Sequence, residues 1–244
     1  MRRIAVIMAM EAEALPVIDA LGAVEIDGAP PLPLRLFTAR VGACEVVVAI
    51  NGRDGRHGVD SIGTDAATLT TYEVARRFRP EILISAGTAG GWQSRGAAIG
   101  DVYLSRDRFV HHDRRIAIPG WDDYGVGSYP AFDATEMAAR LNLKQGLVTT
   151  SNSLDENDDD RLMIARNGGD VKEMEAAAVA HVGELMGIPV LAVKAITDLV
   201  DHHTATAEQF ATNLTMATAR LTTELLRVID HLGSVVVGNP TGSP

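Results

Sequence analysis

Short apolar runs recur along the chain, and they predict a sheet that is buried on both faces. These runs, rich in Ile, Val and Leu, are residues 4–9, 46–50, 82–85, 102–104, 147–150 and 190–196. Most of them lack the alternation of polar and apolar residues that marks a strand with one face in water. We therefore expect the strands to lie inside a layered α/β fold.

Segments with helical periodicity lie between these runs. Apolar residues recur three or four apart at Val59, Ile62, Ala66, Leu69 and Tyr72, and a second helix from Ala176 to Met186 meets the stop signals Gly187 and Pro189. The sequence therefore predicts helices on either side of the strands.

The last predicted helix has the clearest amphipathic pattern. Thr206 and Gln209 have capping-box spacing, an apolar face continues to Leu232, and Gly233 is expected to end the helix. We predict one domain over residues 1–233, a three-layer α/β/α fold around a mixed, mostly parallel sheet, with a flexible tail over 234–244.

Polar or glycine-rich groups follow four of the predicted strands. These groups are residues 10–13, 87–91, 151–154 and 197–198. In open α/β sheets, ligands bind just beyond the carboxyl ends of strands, so the four groups predict one ligand site. The glycine run 87–91 has neither a Walker ending nor dinucleotide-binding spacing, and it fits a close ligand approach or a tight turn.

Two acidic segments precede predicted helices. Glu173 and Glu175 stand before the helix from Ala176, where carboxylates suit the positive end of the helix dipole, so spacing alone favours a helix start over a binding role. The acidic run 154–160 predicts a solvated loop and another helix start.

Composition and charge narrow the classes of partner. Hydrophobic residues make up 46% and charged residues 22% of the 244 residues, with a formal net charge of −10. This charge argues against nucleic acid or an anionic membrane as the main partner. Cys44 is the single cysteine and is expected to be buried, which fits a reducing cytoplasm. Because Glu11 and Glu13 interrupt the first apolar run, no targeting segment is expected.

The sequence offers little support for a metal or a nucleophilic hydrolase. Residues 111–113 and 201–203 are His-His-Asp and Asp-His-His, but adjacent side chains diverge and do not form a three-ligand face. A Gly-x-Ser-x-Gly elbow is lacking, and Cys44 has no supporting context. We expect no metal and no cofactor.

Four motifs in order resemble one known family. They lie at residues 9–13, 85–91, 172–180 and 194–201. Across about residues 3–232 the chain resembles the 5′-methylthioadenosine nucleosidases of the purine nucleoside phosphorylase and uridine phosphorylase superfamily. Segments 58–64, 112–115 and 124–127 are similar to the plant branch.

The resemblance implies hydrolysis of an N-glycosidic bond by acid–base catalysis. Glu13 would activate the attacking water, and Asp198 would protonate the five-membered ring of the leaving adenine. Glu175 would hold the ribose hydroxyls, with Met174 packed under the sugar. The remaining substrate-binding positions it implies are Thr88, Ala89, Gly90, Leu154, Asp155, Val171, Lys172, Glu173 and Thr197.

The resemblance also implies a homodimer whose partner subunit helps to cover the 5′-substituent. Acceptance of S-adenosylhomocysteine would depend on loops such as 118–129. One departure from the family pattern is Ser151-Asn152, which stands where many members have Gly-Asp beside the presumed base pocket.

Two other functions stay open at this point. A phosphorylase on the same fold needs cations around its phosphate, and Arg53, Arg56 and His57 could supply them. A nucleoside-binding protein without catalysis is the other alternative, although the presence of Glu13, Glu175 and Asp198 together argues against it.

Overall fold

The computed structural model describes residues 2–234, which form ten strands and seven α-helices. The strands are β1 Arg2–Met8, β2 Val24–Ile26, β3 Arg35–Val41, β4 Cys44–Ile50, β5 Ile82–Gly91, β6 Val102–His111, β7 Tyr129–Pro130, β8 Lys144–Thr150, β9 Val171–Glu173 and β10 Val190–Leu199. The helices are α1 Glu11–Leu21, α2 Thr64–Phe78, α3 Trp121–Val126, α4 Thr135–Leu141, α5 Asp158–Asn167, α6 Ala176–Met186 and α7 Thr206–Ser234.

All six apolar runs form strands, but three strands continue further than the runs do, and one of them is β6, which continues to His111. β5 continues through the glycine run to Gly91, and β10 continues through Thr197 and Asp198 to Leu199. The extensions of β5 and β10 pair with each other, with a register shift between Ile196 and Asp198. The glycine run is therefore strand and not the turn that the sequence allowed. The pairing carries side chains of β5 and β10 to the edge where ligands bind in α/β sheets.

The sheet is mixed, as predicted. Its order is β10-β6-β8-β9-β5-β1-β4-β3-β2, and β7 pairs with β6. The central strands β4, β1, β5 and β10 run parallel. Because β10 also pairs with β5, the strands β10, β6, β8, β9 and β5 form a closed ring. Three-residue β9 completes this ring, and its sequence is too short to show a strand pattern.

Alternate residues of the central strands face two different helical layers. In β1, Ile4, Val6 and Met8 pack in the cluster formed with α1, α4 and α7. Ala5 and Ile7 point the other way, into the cluster formed with α2 and α6. The sheet is thus buried on both faces, which explains why its central strands lack polar alternation.

Helix α2 differs from its prediction. It begins at Thr64 and not near Val59, and its buried face includes Ala67, Thr71 and Val74. The apolar residues Leu69 and Tyr72, which suggested the helix, are each 52% exposed. The periodicity therefore predicted a real helix, but the apolar residues that formed the pattern lie on its exposed face and not on its buried one.

The start of α7 also differs. The Gln209 side chain donates to Leu199 O and Thr204 O and accepts from Leu199 N, so it fastens the helix to the end of β10 and forms no capping box. Within the described residues the helix reaches Ser234 and so passes through Gly233, where it was expected to end. The rest of the predicted tail lies outside the described residues.

Cys44 is fully buried, as expected. Within residues 2–234, no helix is long and apolar enough to cross a membrane.

Gly52 anchors the loop that leads from β4 to α2. Its φ is +82°, and a Cβ at this position would lie 1.9 Å from Pro33 O. Its carbonyl accepts from Ser61 N at 2.8 Å, which closes the loop. A side chain at Gly52 therefore meets both backbone strain and a backbone collision.

We expect Gly52→Ala to lower the free energy of unfolding by about 3 kcal/mol, measured by urea denaturation. Gly55→Ala, in the same loop with open space around its Cα, is the matched control and should change it by less than about 0.5 kcal/mol. Equal stabilities of the two variants would contradict this account of the loop.

Candidate active site

One cavity collects side chains from the carboxyl ends of β1, β5 and β10 and from the start of α6. Its lining consists of Ala9, Met10, Glu13, Ile62, Thr88, Ala89, Gly90, Ser153, Leu154, Lys172, Glu173, Met174, Glu175, Thr197, Asp198 and Phe210. This is the edge of the sheet at which the sequence predicted a ligand site.

Glu13 lies in the first turn of α1, directly after β1, and is 4% exposed. Its Oε1 accepts from Thr88 N at 2.7 Å and from Thr88 Oγ1 at 2.6 Å. Burial raises the pKa of Glu13, and the two bonds from Thr88 partly oppose this. Its Oε2 faces Gly87, where an added Cβ would lie 3.2 Å away. The glycine thus leaves space beside a carboxylate oxygen.

Asp198 projects from β10 and is 3% exposed. Its Oδ1 accepts from Thr197 Oγ1 at 2.8 Å. Burial raises the pKa of Asp198, whereas the Thr197 bond and the charge of Lys172 lower it, and burial prevails. A Cβ on Gly90 would lie 2.5 Å from Oδ2, so only glycine fits opposite this oxygen. Asp198 is therefore a carboxyl group that is easily protonated beside an open space.

Glu175 stands at the N-cap of α6, yet its side chain makes no cap hydrogen bond. Its Oε1 instead accepts from Gly63 N at 2.8 Å, across the cavity wall. Burial, followed by the negative charge of Glu173, raises the pKa of Glu175 to about 7. Lys194 and the Gly63 N–H oppose this rise.

Glu173 stabilises the start of α6. Its carboxylate accepts from Ala176 N at 2.8 Å and from Glu175 N at 3.0 Å, and it also accepts from Thr150 Oγ1. Lys194 Nζ lies 2.9 Å from its Oε2, and both side chains are almost fully buried. The helix start that the spacing favoured is therefore provided by Glu173, while Glu175 is left to face the cavity.

Lys172 forms the second buried charge pair of this region. Its Nζ pairs with Glu156 and donates to Leu154 O at 2.7 Å, with both side chains less than a tenth exposed. The pair fixes the segment that follows β8 against β9. Glu156 was not among the predicted site residues, because the acidic run 154–160 gave no sign that one member turns inward.

The structure brings most of the predicted site residues together. Eleven of the thirteen line the cavity, while Val171 is buried in the sheet and Asp155 is exposed outside the lining. The sequence missed five lining residues: Ala9, Met10, Ile62, Ser153 and Phe210. Met10 and Ser153 belong to strand-end segments that the sequence did single out, whereas Phe210 was assigned only to a helix face.

Asn152 is placed differently from the expectation. It does not line the cavity, and its Oδ1 accepts from Thr64 N at 2.8 Å and from Thr64 Oγ1 at 3.0 Å. The amide therefore contacts the start of α2 and not a purine pocket. Ser153 and Leu154, the next residues, are the ones that reach the cavity.

The cationic loop after β4 also stays outside the lining. Arg53, Arg56 and His57 are exposed, and Asp54 Oδ1 accepts from the backbone N–H groups of Arg56 and His57. Among the lining residues the one cationic side chain is Lys172, which is already paired. Across residues 2–234, no cluster of three or more His, Cys, Asp or Glu side chains could hold a metal ion.

Comparison with known proteins identifies the family. The model of the phosphorylase superfamily matches residues 3–230. The 5′-methylthioadenosine nucleosidase of Arabidopsis thaliana is 43% identical over 229 residues, which is 93% of this chain and 85% of the relative. The 5′-methylthioadenosine/S-adenosylhomocysteine nucleosidase of the same plant is 38% identical over 230 residues, 93% of this chain and 90% of the relative.

A solved structure agrees over the whole fold. The apo structure of the Arabidopsis thaliana 5′-methylthioadenosine nucleosidase superposes with a TM-score of 0.94 at 40% identity, covering 97% of this chain and 98% of that one. The chain therefore belongs to the phosphorylase superfamily and, within it, to the 5′-methylthioadenosine nucleosidases.

Proposed function

We propose that this protein hydrolyses the N-glycosidic bond of 5′-methylthioadenosine and releases adenine and the 5-thio-substituted ribose. The observation that carries the proposal is the meeting of Glu13, Glu175 and Asp198 in one cavity, each with a raised pKa. Relatives with the same family membership act on 5′-methylthioadenosine, and one also acts on S-adenosylhomocysteine, by their names.

Cleavage of this bond leaves positive charge on the sugar while electrons move into the purine. One acid must help the base to depart, and one carboxylate must activate water on the other face, as in inverting glycosidases. Asp198 is the proposed acid, because burial favours its protonated form. Glu13 is the proposed base, because the two Thr88 donors and the α1 N-terminus favour its ionised form.

Glu175 and Met174 are the proposed ribose contacts. An ionised Glu175 accepts hydrogen bonds from two vicinal hydroxyls, and its negative charge favours the developing charge on the sugar. With a pKa of about 7, Glu175 is largely ionised in mildly alkaline solution and becomes protonated as the pH falls through 7. Sugar binding should therefore weaken on the acid side.

The cavity lining offers polar groups for the base and apolar side chains for the 5′-substituent. Leu154 and Lys172 border the side that holds Asp198, where the purine is proposed to lie. Met10, Ile62 and Phe210 supply an apolar wall. An apolar, sulfur-containing 5′-substituent loses little by leaving water there, whereas a free 5′-hydroxyl would be left without a partner.

Water is the proposed nucleophile, because the cavity is poor in free cations. A phosphorylase must neutralise a bound phosphate with positively charged or strongly donating groups. Arg53, Arg56 and His57 lie outside the lining, and Lys172 is paired with Glu156.

We further infer that two copies of this chain associate through the outer face of α2. Leu69 and Tyr72 are half-exposed there, and Ile62, itself 50% exposed, joins this face to the active-site cavity. A contiguous exposed apolar surface of this kind marks an interface. A partner on this face would cover the cavity where Ile62 lines it.

The catalytic assignments predict that Glu13→Gln and Asp198→Asn each reduce adenine release from 5′-methylthioadenosine by about 10² to 10⁴-fold. Each change removes one proton-transfer group and preserves the shape of the side chain. Asp158→Asn, at a carboxylate that is 95% exposed, is the control and should retain wild-type activity. Normal turnover by a folded Glu13→Gln or Asp198→Asn protein would rule out the role of that residue.

The substrate assignment predicts adenine release without phosphate. Release should be measured from 5′-methylthioadenosine, S-adenosylhomocysteine, adenosine and inosine, each with and without phosphate. We expect phosphate-independent release with 5′-methylthioadenosine preferred over adenosine, because of the apolar wall. Strict dependence on phosphate, or preference for inosine, would instead assign the protein to phosphorolysis.

The α2 interface predicts that the double change Leu69→Asp/Tyr72→Asp separates the subunits. Light scattering should give about twice 25.9 kDa for the wild type and 25.9 kDa for this variant. Val24→Asp, at a 68% exposed residue of β2, is the control and should keep the wild-type mass. A monomeric wild type, or an unchanged mass in the double variant, would refute the interface.

A further inference from the structure

The start of α2 is capped by a residue from a distant part of the chain. The N-cap residue is Gly63, which has no side chain to offer. Asn152, 88 residues away from Thr64 in the sequence, accepts from both the backbone N–H and the hydroxyl of Thr64. An amide oxygen that accepts from the first-turn N–H does what an N-cap side chain does.

The same helix start reaches the active site. Gly63 N donates to Glu175 Oε1 at 2.8 Å, so one residue of the α2 start contacts the carboxylate and the next contacts Asn152. These bonds form one connected path from Asn152 through Thr64 and Gly63 to Glu175.

Gly63 and Asn152 are closely packed where this path passes between them. A Cβ on Gly63 would lie 2.7 Å from Asn152 Oδ1, and the φ of Gly63 is +92°. The backbone N–H of Asn152 donates to Asp113 Oδ2 at 2.9 Å, which holds Asn152 in place from its other side. Glycine at 63 allows the amide to approach closely enough to fix the backbone.

We propose that Asn152 is a positioning residue for Glu175, which it serves by holding the Gly63 N–H on the carboxylate. The role rests on the proposed function in one respect, namely that Glu175 binds the ribose. Asn152 itself does not line the cavity.

The charges around Glu175 show why one hydrogen bond matters. Glu173 and Glu13 raise its pKa, Lys194 lowers it, and the Gly63 N–H lowers it as well. Lys194 also serves Glu173 directly through their ion pair. Losing the Gly63 donor should therefore raise the Glu175 pKa further, because an N–H bond to a carboxylate favours its ionised form.

The experiment compares wild type with Asn152→Ala by two readouts. Carbon-13 NMR of labelled glutamate, with the Glu175 signal assigned from Glu175→Gln, reports the Glu175 pKa without turnover. We expect it to rise by about half a unit to one unit in Asn152→Ala. In parallel, kcat/KM for 5′-methylthioadenosine should fall about three- to eightfold at pH 6.5, where the ionised fraction of Glu175 drops, and stay close to wild type at pH 9.

Two further variants separate positioning from loss of stability. Asn152→Asp keeps an acceptor oxygen for Thr64 and should keep kcat/KM at pH 6.5 within about twofold of wild type, where Asn152→Ala loses activity, since Asn and Asp cap helices equally well. Asp133→Ala removes the exposed carboxylate that accepts from Thr135 N at the start of α4. It should lower the melting temperature without changing the Glu175 pKa or the pH profile.

The outcomes are distinct. An unchanged Glu175 pKa and pH profile in folded Asn152→Ala would overturn the positioning role, as would an equal loss of kcat/KM at both pH values. If the wild-type protein releases no adenine, the proposed function fails, while the NMR titration still decides whether Asn152 positions Glu175.

Discussion

The buried ion pair between Lys194 and Glu173 is the interaction on which the site depends. Lys194 lies within β10, and Glu173 ends β9 and caps α6, so the pair joins the closed ring of strands to the helix that carries Glu175. Burial alone would lower the pKa of Lys194, but Glu173, Glu175 and Glu13 raise it above its usual range. The lysine is therefore charged, and its charge makes a cluster of carboxylates possible in a buried region. Removing it would leave Glu173 buried and unpaired, which is more costly than never having buried the pair.

Much of this fold could be predicted from sequence, because its central strands are buried on both faces and read as continuous apolar runs. The site edge could also be predicted, since polar groups follow the strands that meet there. What could not be predicted depends on pairing between distant segments. The glycine-rich segment 87–91 has the sequence of a turn, and only its pairing with β10 shows that it is a strand. Strand β9 has three residues, which are too few to show a pattern. Glu173 and Glu175 are equivalent by spacing, and only the structure shows which one turns toward the α6 backbone.

Side chains that reach the cavity from outside the strand ends were harder to find. Phe210 belongs to α7 and Ile62 to the loop before α2, and an amphipathic pattern gives no reason to send either toward a ligand. Asn152 shows the opposite case. Its position directly after β8 indicated a role at the base, but its amide turns toward α2. A strand end places the backbone near a site, whereas the direction of each side chain depends on the nearest unsatisfied donor, here the first turn of a helix whose own N-cap is a glycine.

The two proposed catalytic carboxyls share burial and differ in their donors, and this difference supports the proposed roles. Glu13 receives two hydrogen bonds on one oxygen and stands at a helix N-terminus, so ionisation costs it less than burial alone implies. Asp198 receives a hydroxyl bond from Thr197, and the cation facing it, Lys172, is already paired with Glu156. Burial raises the pKa of both groups, and Glu13 has the larger number of hydrogen-bond donors opposing that rise. A pair of carboxyls whose surroundings differ in this sense supplies a base and an acid at the same pH. The same pairing occupies the cation that a phosphate would need, so the Lys172–Glu156 pair, whose carboxylate helps to raise the Asp198 pKa, also favours water as the proposed nucleophile.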